Sequence, residues 1–512
     1  MTFQTFRIQE PGAKKSAILI FVITILCLGC TGCRGFSTQI VSATTTFSPD
    51  QSVIRVNVTR QGYNFRRPWE QLASKTHTAI GVIIAGPRVL VTASLIANHR
   101  YIELEKIDTG EKSRARLEEV DYEGNLALLK PERETFLKGL KPVQLTEDAK
   151  QGDELQVWQV KPNGIVTPGT GTITAIEATL YSYRNYFLTY RLNGSLQYRF
   201  GNITMPVVKD GKLAGLVMRY DAKRQTINVL AAPVIKHFLA DISDGKYMGF
   251  PTTDVKIVST EDPHLRRYTN IPDTVGGVYV EGVTPRSTAA KAGLRKGDII
   301  IEIAGYPIDS HGNFEHPIYG KMALSHILRC EFHVGDKIKH RLYRAGKLLN
   351  IEILADHRRP EAFLIPPYII DVPPRYYILG GLVLQELSVP YLRTYGKRWT
   401  LKAPIHFAYY EKNQDFLEND GRQKIIFLSG VLPTSYTVGY ESLSNIEVIR
   451  INNQVVARLE DVHRALENPV DGFHKIEFKQ RPKIIYLNPM EIPNINAQIK
   501  QRYRIPFLQN LN

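Results

Sequence analysis

The chain has 512 residues, 43% hydrophobic and 22% charged, an ordinary globular balance that supports roughly three or four domains, each with a core of its own. Its net charge of +15 favours acidic partners. However, the basic pairs Arg66-Arg67, Arg266-Arg267 and Arg358-Arg359 are isolated, and no basic run with interleaved aromatics argues for nucleic acid. Of the four cysteines, Cys27, Cys30 and Cys33 lie near the N-terminus and only Cys330 lies in the body, so no disulfide within the body is expected.

Lys14 and Lys15 precede the apolar run Ala17 to Leu26, which ends at Cys27-Leu28-Gly29-Cys30. A basic start, a short apolar core and small residues before the cut have the anatomy of an export signal. As a helix, 16–29 is about 21 Å long, short of a bilayer core of about 30 Å. Leu28-Gly29-Cys30 resembles the end of a bacterial lipobox, which implies a lipid on Cys30, with Cys33 as the rival site. Cleaved soluble export and an uncleaved anchor are the other readings. Residues 1–29 are thus expected as a signal peptide and 30–50, Ser/Thr-rich from Thr38, as a linker.

From 51 to 243, short apolar runs alternate with turn signals. Ser52 to Val58 has much of a two-residue period, and Ile80 to Ile84 and Arg88 to Thr92 flank the turn Ala85-Gly86-Pro87. Many strands with Gly/Pro punctuation predict an all-β barrel or sandwich, closed by a helix over 234–241. Within it stand Val89-Leu90-Val91-Thr92-Ala93-Ser94-Leu95-Ile96, Asn125-Leu126-Ala127-Leu128-Leu129 and Gly201-Asn202-Ile203-Thr204-Met205-Pro206.

Those three segments resemble the general-base, aspartate and nucleophile segments of the HtrA (Do-like) serine protease family, nearest the plant-type Deg proteases with two PDZ domains. The resemblance implies a mainly β chain: a chymotrypsin-like double β-barrel followed by two α+β PDZ domains. It places the base histidine on Ser94, the orienting aspartate on Asn125 and the nucleophilic serine on Ile203. A serine hydroxyl takes no proton near neutral pH, an amide carries no charge for an imidazolium, and isoleucine has no nucleophile. No catalytic residue is therefore expected there. The alternative is an active serine endopeptidase for envelope quality control with relocated residues, using Ser94 or Ser195 with His77, His99 or His237.

Residues 245–358 carry Gly277 to Ala290 and then Ala292-Gly293-Leu294-Arg295-Lys296-Gly297-Asp298, which resemble an HtrA-type PDZ domain. There the loop Tyr247-Met248-Gly249-Phe250 matches the family's carboxylate-binding loop. The resemblance implies that it binds unfolded polypeptides or protein C-termini, with Met248 and Phe250 lining the side-chain pocket. Asp309, His311, Glu315 and His316 are metal-capable, but their spacing is not a zinc signature, so neither metal nor cofactor is expected. Residues 359–490, which open with a linker marked by Pro360 and the prolines 366–367 and 373–374, resemble a divergent second PDZ suited to assembly, with its helix over 459–466, and 491–512 read as a polar tail. The sequence reading is an exported, membrane-tethered pseudoprotease in a bacterial cell envelope or secreted. It holds polypeptides or scaffolds an assembly, as a homo-oligomer or beside an active HtrA-type protease.

Overall fold

The computed structural model describes residues 51–161, 165–181, 183, 185–197, 204–252, 254–417 and 422–511. The segment expected as an export signal, Cys30 and Ile203 lie outside these residues. Among those described, no helix is long and apolar enough to cross a membrane.

Strands β1 (Val53–Arg60), β2 (Lys75–Ile84), β3 (Arg88–Val91), β4 (His99–Glu105), β5 (Lys112–Asp121) and β6 (Leu126–Pro131) close a barrel in the order β1-β2-β3-β6-β5-β4. In β1, Ile54, Val56 and Val58 are fully buried while Arg55 and Asn57 are half-exposed, which is the pleat sorting its own sequence. Gly86, with φ +80°, turns β2 into β3, a conformation glycine adopts without a Cβ clash. A second barrel follows: β7 (Glu154–Val160), β8 (Val166–Leu180), β9 (Tyr186–Gly194), β10 (Pro206–Lys209), β11 (Lys212–Asp221) and β12 (Thr226–Ala231), in the order β10-β11-β12-β9-β8-β7. Helix α1 (Ala93–Ile96) sits between β3 and β4, and α2 (Ala232–Asp241) follows β12.

The third sheet is β13 (Val255–Ser259), β14 (Val278–Val283), β15 (Ile299–Ile303), β19 (Lys337–Arg344) and β20 (Lys347–Leu354), with β16 (Tyr306–Pro307) on β15 and a hairpin of β17 (Asn313–His316) and β18 (Gly320–Ala323) inserted. It carries α3 (Pro263–Thr269), α4 (Thr288–Lys291) and one π-helical turn, Ile327–Glu331. Ser287 caps α4 by accepting the Ala290 N–H at 3.2 Å, as Ser at an N-cap does. Lys296-Gly297-Asp298 has its own logic: Asp298, 1% exposed, accepts the Arg295 N–H and is gripped by Arg344 at 2.6 and 2.7 Å.

The last sheet runs β27-β26-β24-β23-β22-β21-β28. Its strands are β21 (Tyr376–Leu379), β22 (Leu382–Glu386), β23 (Ile426–Val431), β24 (Ile446–Ile451), β25 (Gln454–Val455) paired to β24, β26 (His474–Phe478), β27 (Ile484–Leu487) and β28 (Gln509–Asn510). Helices α5 (Val389–Arg393), α6 (Trp399–Lys402), α7 (Ile405–Leu417), α8 (Glu460–Ala465) and α9 (Ile492–Tyr503) surround it. One expectation is corrected here. The 491–512 segment is not a tail, because α9 buries Ile492, Ile495 and Ile499 and β28 pairs with β21. Its apolar positions recur at three and four residues, a helical stripe that the polar composition hid.

Candidate functional site

Of the three segments with the protease resemblance, 89–96, 125–129 and the described part of the third, 204–206, come together where the barrels meet. Thr92, extended at φ −75°, turns β3 into α1, which leaves Ser94 exposed in the first turn. Asn125 sits between β5 and β6 at φ +57°, a left-handed conformation that asparagine tolerates better than most residues. Its Oδ1 accepts the Ser94 N–H at 2.7 Å, its carbonyl accepts the Ala93 N–H at 3.1 Å, and its Nδ2 donates to the Tyr181 hydroxyl. From the second barrel Thr204, fully buried, accepts the Thr92 N–H at 2.9 Å, and the two hydroxyls are 2.9 Å apart. Ser94 and Asn125 are thus in direct contact. The residue after Ile203 is pinned two places before Ser94.

This arrangement is a neutral hydrogen-bond relay. Asn125 uses its acceptor on one backbone amide and its donor on a phenol, so both of its ends are engaged. Two of the domain's histidines are engaged elsewhere. His99 Nδ1 bonds to Ile96 O at 3.0 Å. His237 donates from Nε2 to Phe332 O at 2.9 Å and stacks between Phe250 and His333, where burial lowers its pKa. His77 lies on β2 opposite Val58. Its pKa is lowered by desolvation first, then by the charges of Arg60 and Lys75.

The loop Tyr247–Phe250 differs from its expected role. Phe250 is fully buried, packed edge-on to Phe187 and against Gly124, where an added Cβ would come within 2.8 Å of its ring. The Tyr247 hydroxyl donates to Asp121. The Met248 and Gly249 N–H groups donate to Asp241 Oδ2 at 3.0 and 2.8 Å. Thus two loop amides already hold a carboxylate, that of the last residue of α2. Gly249, at φ +90° and with the His357 ring 3.0 Å from a would-be Cβ, fits only as glycine. Phe250 is therefore a core residue rather than a pocket wall, and Met248 is the loop's exposed side chain.

The apolar space lies just beyond. A cavity of about 250 Å³ is lined by Pro251, Val255, Ile257, Leu324 and Leu328, with Tyr186 reaching in from β9. Strand β13 borders it and, among the described residues, pairs only with β14, which leaves its other edge open. An open strand edge beside an apolar cavity can accept an extended peptide. The signal for it in the sequence was the Val255/Ile257 alternation and the Leu324/Leu328 pair one helical turn apart.

Beside the cavity, the same short helix joins the barrels. Leu328 lines the cavity, and Arg329 reaches Glu123 Oε2 at 3.3 Å and also donates to Asn185. Both charged side chains are 5% exposed. Burial pushes the Glu123 carboxyl upward, and Arg329 opposes this. Glu123 is two residues from Asn125, so cavity and relay share one scaffold.

The second PDZ-like unit and the chain before it pack back onto the first barrel. Phe65 packs against the cluster of Tyr391, Leu392 and Phe407, Trp69 meets Tyr376 edge-on at 6.3 Å, and Arg66 lies 4.5 Å over Tyr395. In the proline-marked linker, Asp371 accepts the Asn98 N–H at 2.6 Å and the Tyr122 hydroxyl, while Tyr368 rests 4.3 Å from Tyr183. The linker is therefore a docked segment.

The metal-capable residues expected as a loop cluster separate. Asp309 takes Lys321 and two backbone amides, and His311 turns to Glu261. His316 instead joins His326 and Glu331, with donor atoms within 4.8 Å of one another. His316 Nδ1 accepts the Ile318 and Tyr319 N–H groups at 3.1 Å, so its hydrogen sits on Nε2, which faces Glu331 at 3.3 Å. A metal ligand needs the opposite tautomer.

Two closed six-stranded barrels, the Thr92–Thr204 contact where they meet and three further sheets form one architecture among the described residues. The PDZ domain family matches residues 247–354 and again 365–509. Among proteins, Protease Do-like 2, chloroplastic, of Arabidopsis thaliana is 25% identical over 440 residues, covering 84% of this chain and 70% of its own. Protease Do-like 4, mitochondrial, of the same plant is 24% identical over 458 residues, covering 89% and 84%. Among solved structures, HtrA-type protease AlgW with decapeptide has a TM-score of 0.48 at 19% identity, covering 61% of this chain and 97% of that one. The serine endoprotease from Yersinia pestis has a TM-score of 0.41 at 18% identity, covering 60% and 95%. The chain carries two PDZ domains behind a double-barrel domain and is similar over most of its length to the Do-like proteases.

Proposed function

We propose that this chain is a Do-like pseudoprotease: it does not hydrolyse peptide bonds and holds polypeptides through its first PDZ domain. The observation that carries the reading is the neutral relay Ser94–Asn125–Tyr181 at positions where the family chemistry needs a base and its carboxylate. Loss of such a triad removes on the order of a million-fold in rate. Peptide holding is supported by the open edge of β13 beside the apolar cavity. The ligand class is an extended segment ending in a free carboxylate, added as a strand, with its last side chain in the cavity. The loop's Met248 and Gly249 amides would then have to exchange Asp241 for the ligand. In this reading the chain is exported and tethered through Cys30 in the cell envelope, where it scaffolds an assembly as a homo-oligomer or beside an active Do-like protease.

The test pairs two assays on the purified chain. Casein turnover is expected at blank level for the wild type. Turnover above blank that disappears in Ser94→Ala or Ser195→Ala would establish the relocated endopeptidase instead. A fluorescent peptide with a free C-terminus is expected to bind, and to bind less when amidated or when Ile257→Lys charges the strand edge. Equal binding in all three cases removes the PDZ groove from the reading and leaves the pseudoprotease assignment to the first assay.

A further inference from the structure

Helices α6 and α7 expose an apolar face that the described residues leave uncovered. The segment 387–410 buries one side in its own cluster: Leu392, Ala403, Phe407 and Tyr410 are at most 9% exposed. The opposite side shows Leu401, Ile405 and Tyr409, at 81%, 85% and 58% exposed. Ile405 and Tyr409 lie one turn apart on α7, and Leu401 precedes them across the Ala403-Pro404 bend. Exposed apolar groups of this size, grouped on one short hairpin, mark an interaction surface.

The charge around this face is one-sided. Between Leu387 and Tyr410 there is no acidic residue, while Arg393, Lys397, Arg398 and Lys402 are present and exposed. The next acid, Glu411, is 5% exposed, and Asp415 is taken by Lys256 at 3.0 Å. Lys397, Arg398, Lys402 and Lys412 make no ion pair among the described residues. Arg66 adds a further cation from the first barrel, over Tyr395. Docking two copies face to face would set these cations against one another. Apolar side chains framed by unpaired cations fit a surface that is apolar within and anionic at its rim.

We infer that the α6–α7 hairpin is a membrane-surface docking element, which inserts Leu401, Ile405 and Tyr409 into the headgroup region of an anionic bilayer. Lys397, Arg398, Lys402 and Lys412 lie at the phosphate level. The contact orients the folded body against the lipid, and it does not depend on any acyl chain at Cys30.

The experiment is amide hydrogen exchange of the full chain with vesicles of phosphatidylcholine alone or mixed equally with phosphatidylglycerol. A local readout is needed because the N-terminal apolar run can bring the chain to either vesicle. Exchange across 397–412 is expected to slow only on the anionic vesicles, and to recover in Lys397→Glu/Lys402→Glu, with partitioning weakened on the order of fivefold for each basic residue lost. Leu401→Ser/Ile405→Ser, at positions 81% and 85% exposed, is expected to behave the same way. Unchanged exchange in 397–412 while the chain sediments with the vesicles overturns the inference, and so does equal slowing on neutral vesicles. Slowing without lipid as protein concentration rises overturns it in favour of a second copy, and slowing only on addition of an acidic protein overturns it in favour of that partner.

Discussion

Replacing Arg329 by alanine should loosen the first PDZ domain from the barrels while leaving each core intact. The guanidinium lies 3.3 Å from Glu123 Oε2, both side chains are 5% exposed, and it also holds Asn185 and lies 5.6 Å from the Phe187 ring centre. At an effective dielectric near 20, a pair at that distance attracts by about 5 kcal/mol. Measured losses for breaking a buried pair run to about 3–5 kcal/mol, because the stranded partner keeps its desolvation penalty. Here Glu123 would be stranded beside Asp121, a second buried carboxyl whose charge already raises its pKa. Amide exchange read over 123–128 and 325–331 should quicken by at least about a hundredfold, the equivalent of roughly 3 kcal/mol at 1.36 kcal/mol per decade. Glu123→Gln/Arg329→Met, which removes both charges and keeps the volume, should recover most of that loss. If the single variant exchanges no faster than the double one, the pair is not what fastens this interface and the reasoning fails.

Two further outcomes follow from burial. His326 is 3% exposed and desolvation pushes its pKa down to about 4 from an ordinary 6.5. Below pH 6.5 the unfolded chain takes up a proton that the folded chain refuses, so its contribution is complete above 6.5 and drains away as pH falls towards 4. The loss is about 3 kcal/mol. Glu331, facing it, is shifted upward by burial and acts with the opposite sign. The His326→Leu variant therefore isolates the histidine, and urea midpoints of the first PDZ transition should fall less between pH 7.5 and 4.5 than in the wild type. In the loop before β13, Phe250→Ala should cost about 3–5 kcal/mol by emptying a fully buried site, whereas Met248→Ala, at an exposed position, should stay within about 0.5 kcal/mol. Equal urea midpoints for the two variants would return Phe250 to the pocket wall.

What the sequence determined by itself was whatever rests on local pattern. The pleat of β1 is written in alternate residues of Val53 to Val58, the β2–β3 turn in Gly86, and the α4 cap in Ser287, because each is settled by contacts a few residues apart. The turns that carry Ser94 and Asn125 were legible in the same way: each lies in a short segment whose strands and turns are local. The sequence also carried the chemistry of Ser94 and Asn125, since a hydroxyl and an amide lack the needed proton affinity wherever they sit. Tertiary structure alone decided the rest. It buried Phe250 against Gly124, placed Arg329 on Glu123 across 206 positions, and folded 492–510 back into the second PDZ sheet. Those outcomes depend on which surfaces meet after the chain has closed on itself. Residue spacing within a segment does not encode that meeting, and the open edge of β13 and the bare face of α6–α7 exist because no other described part of the fold reaches them.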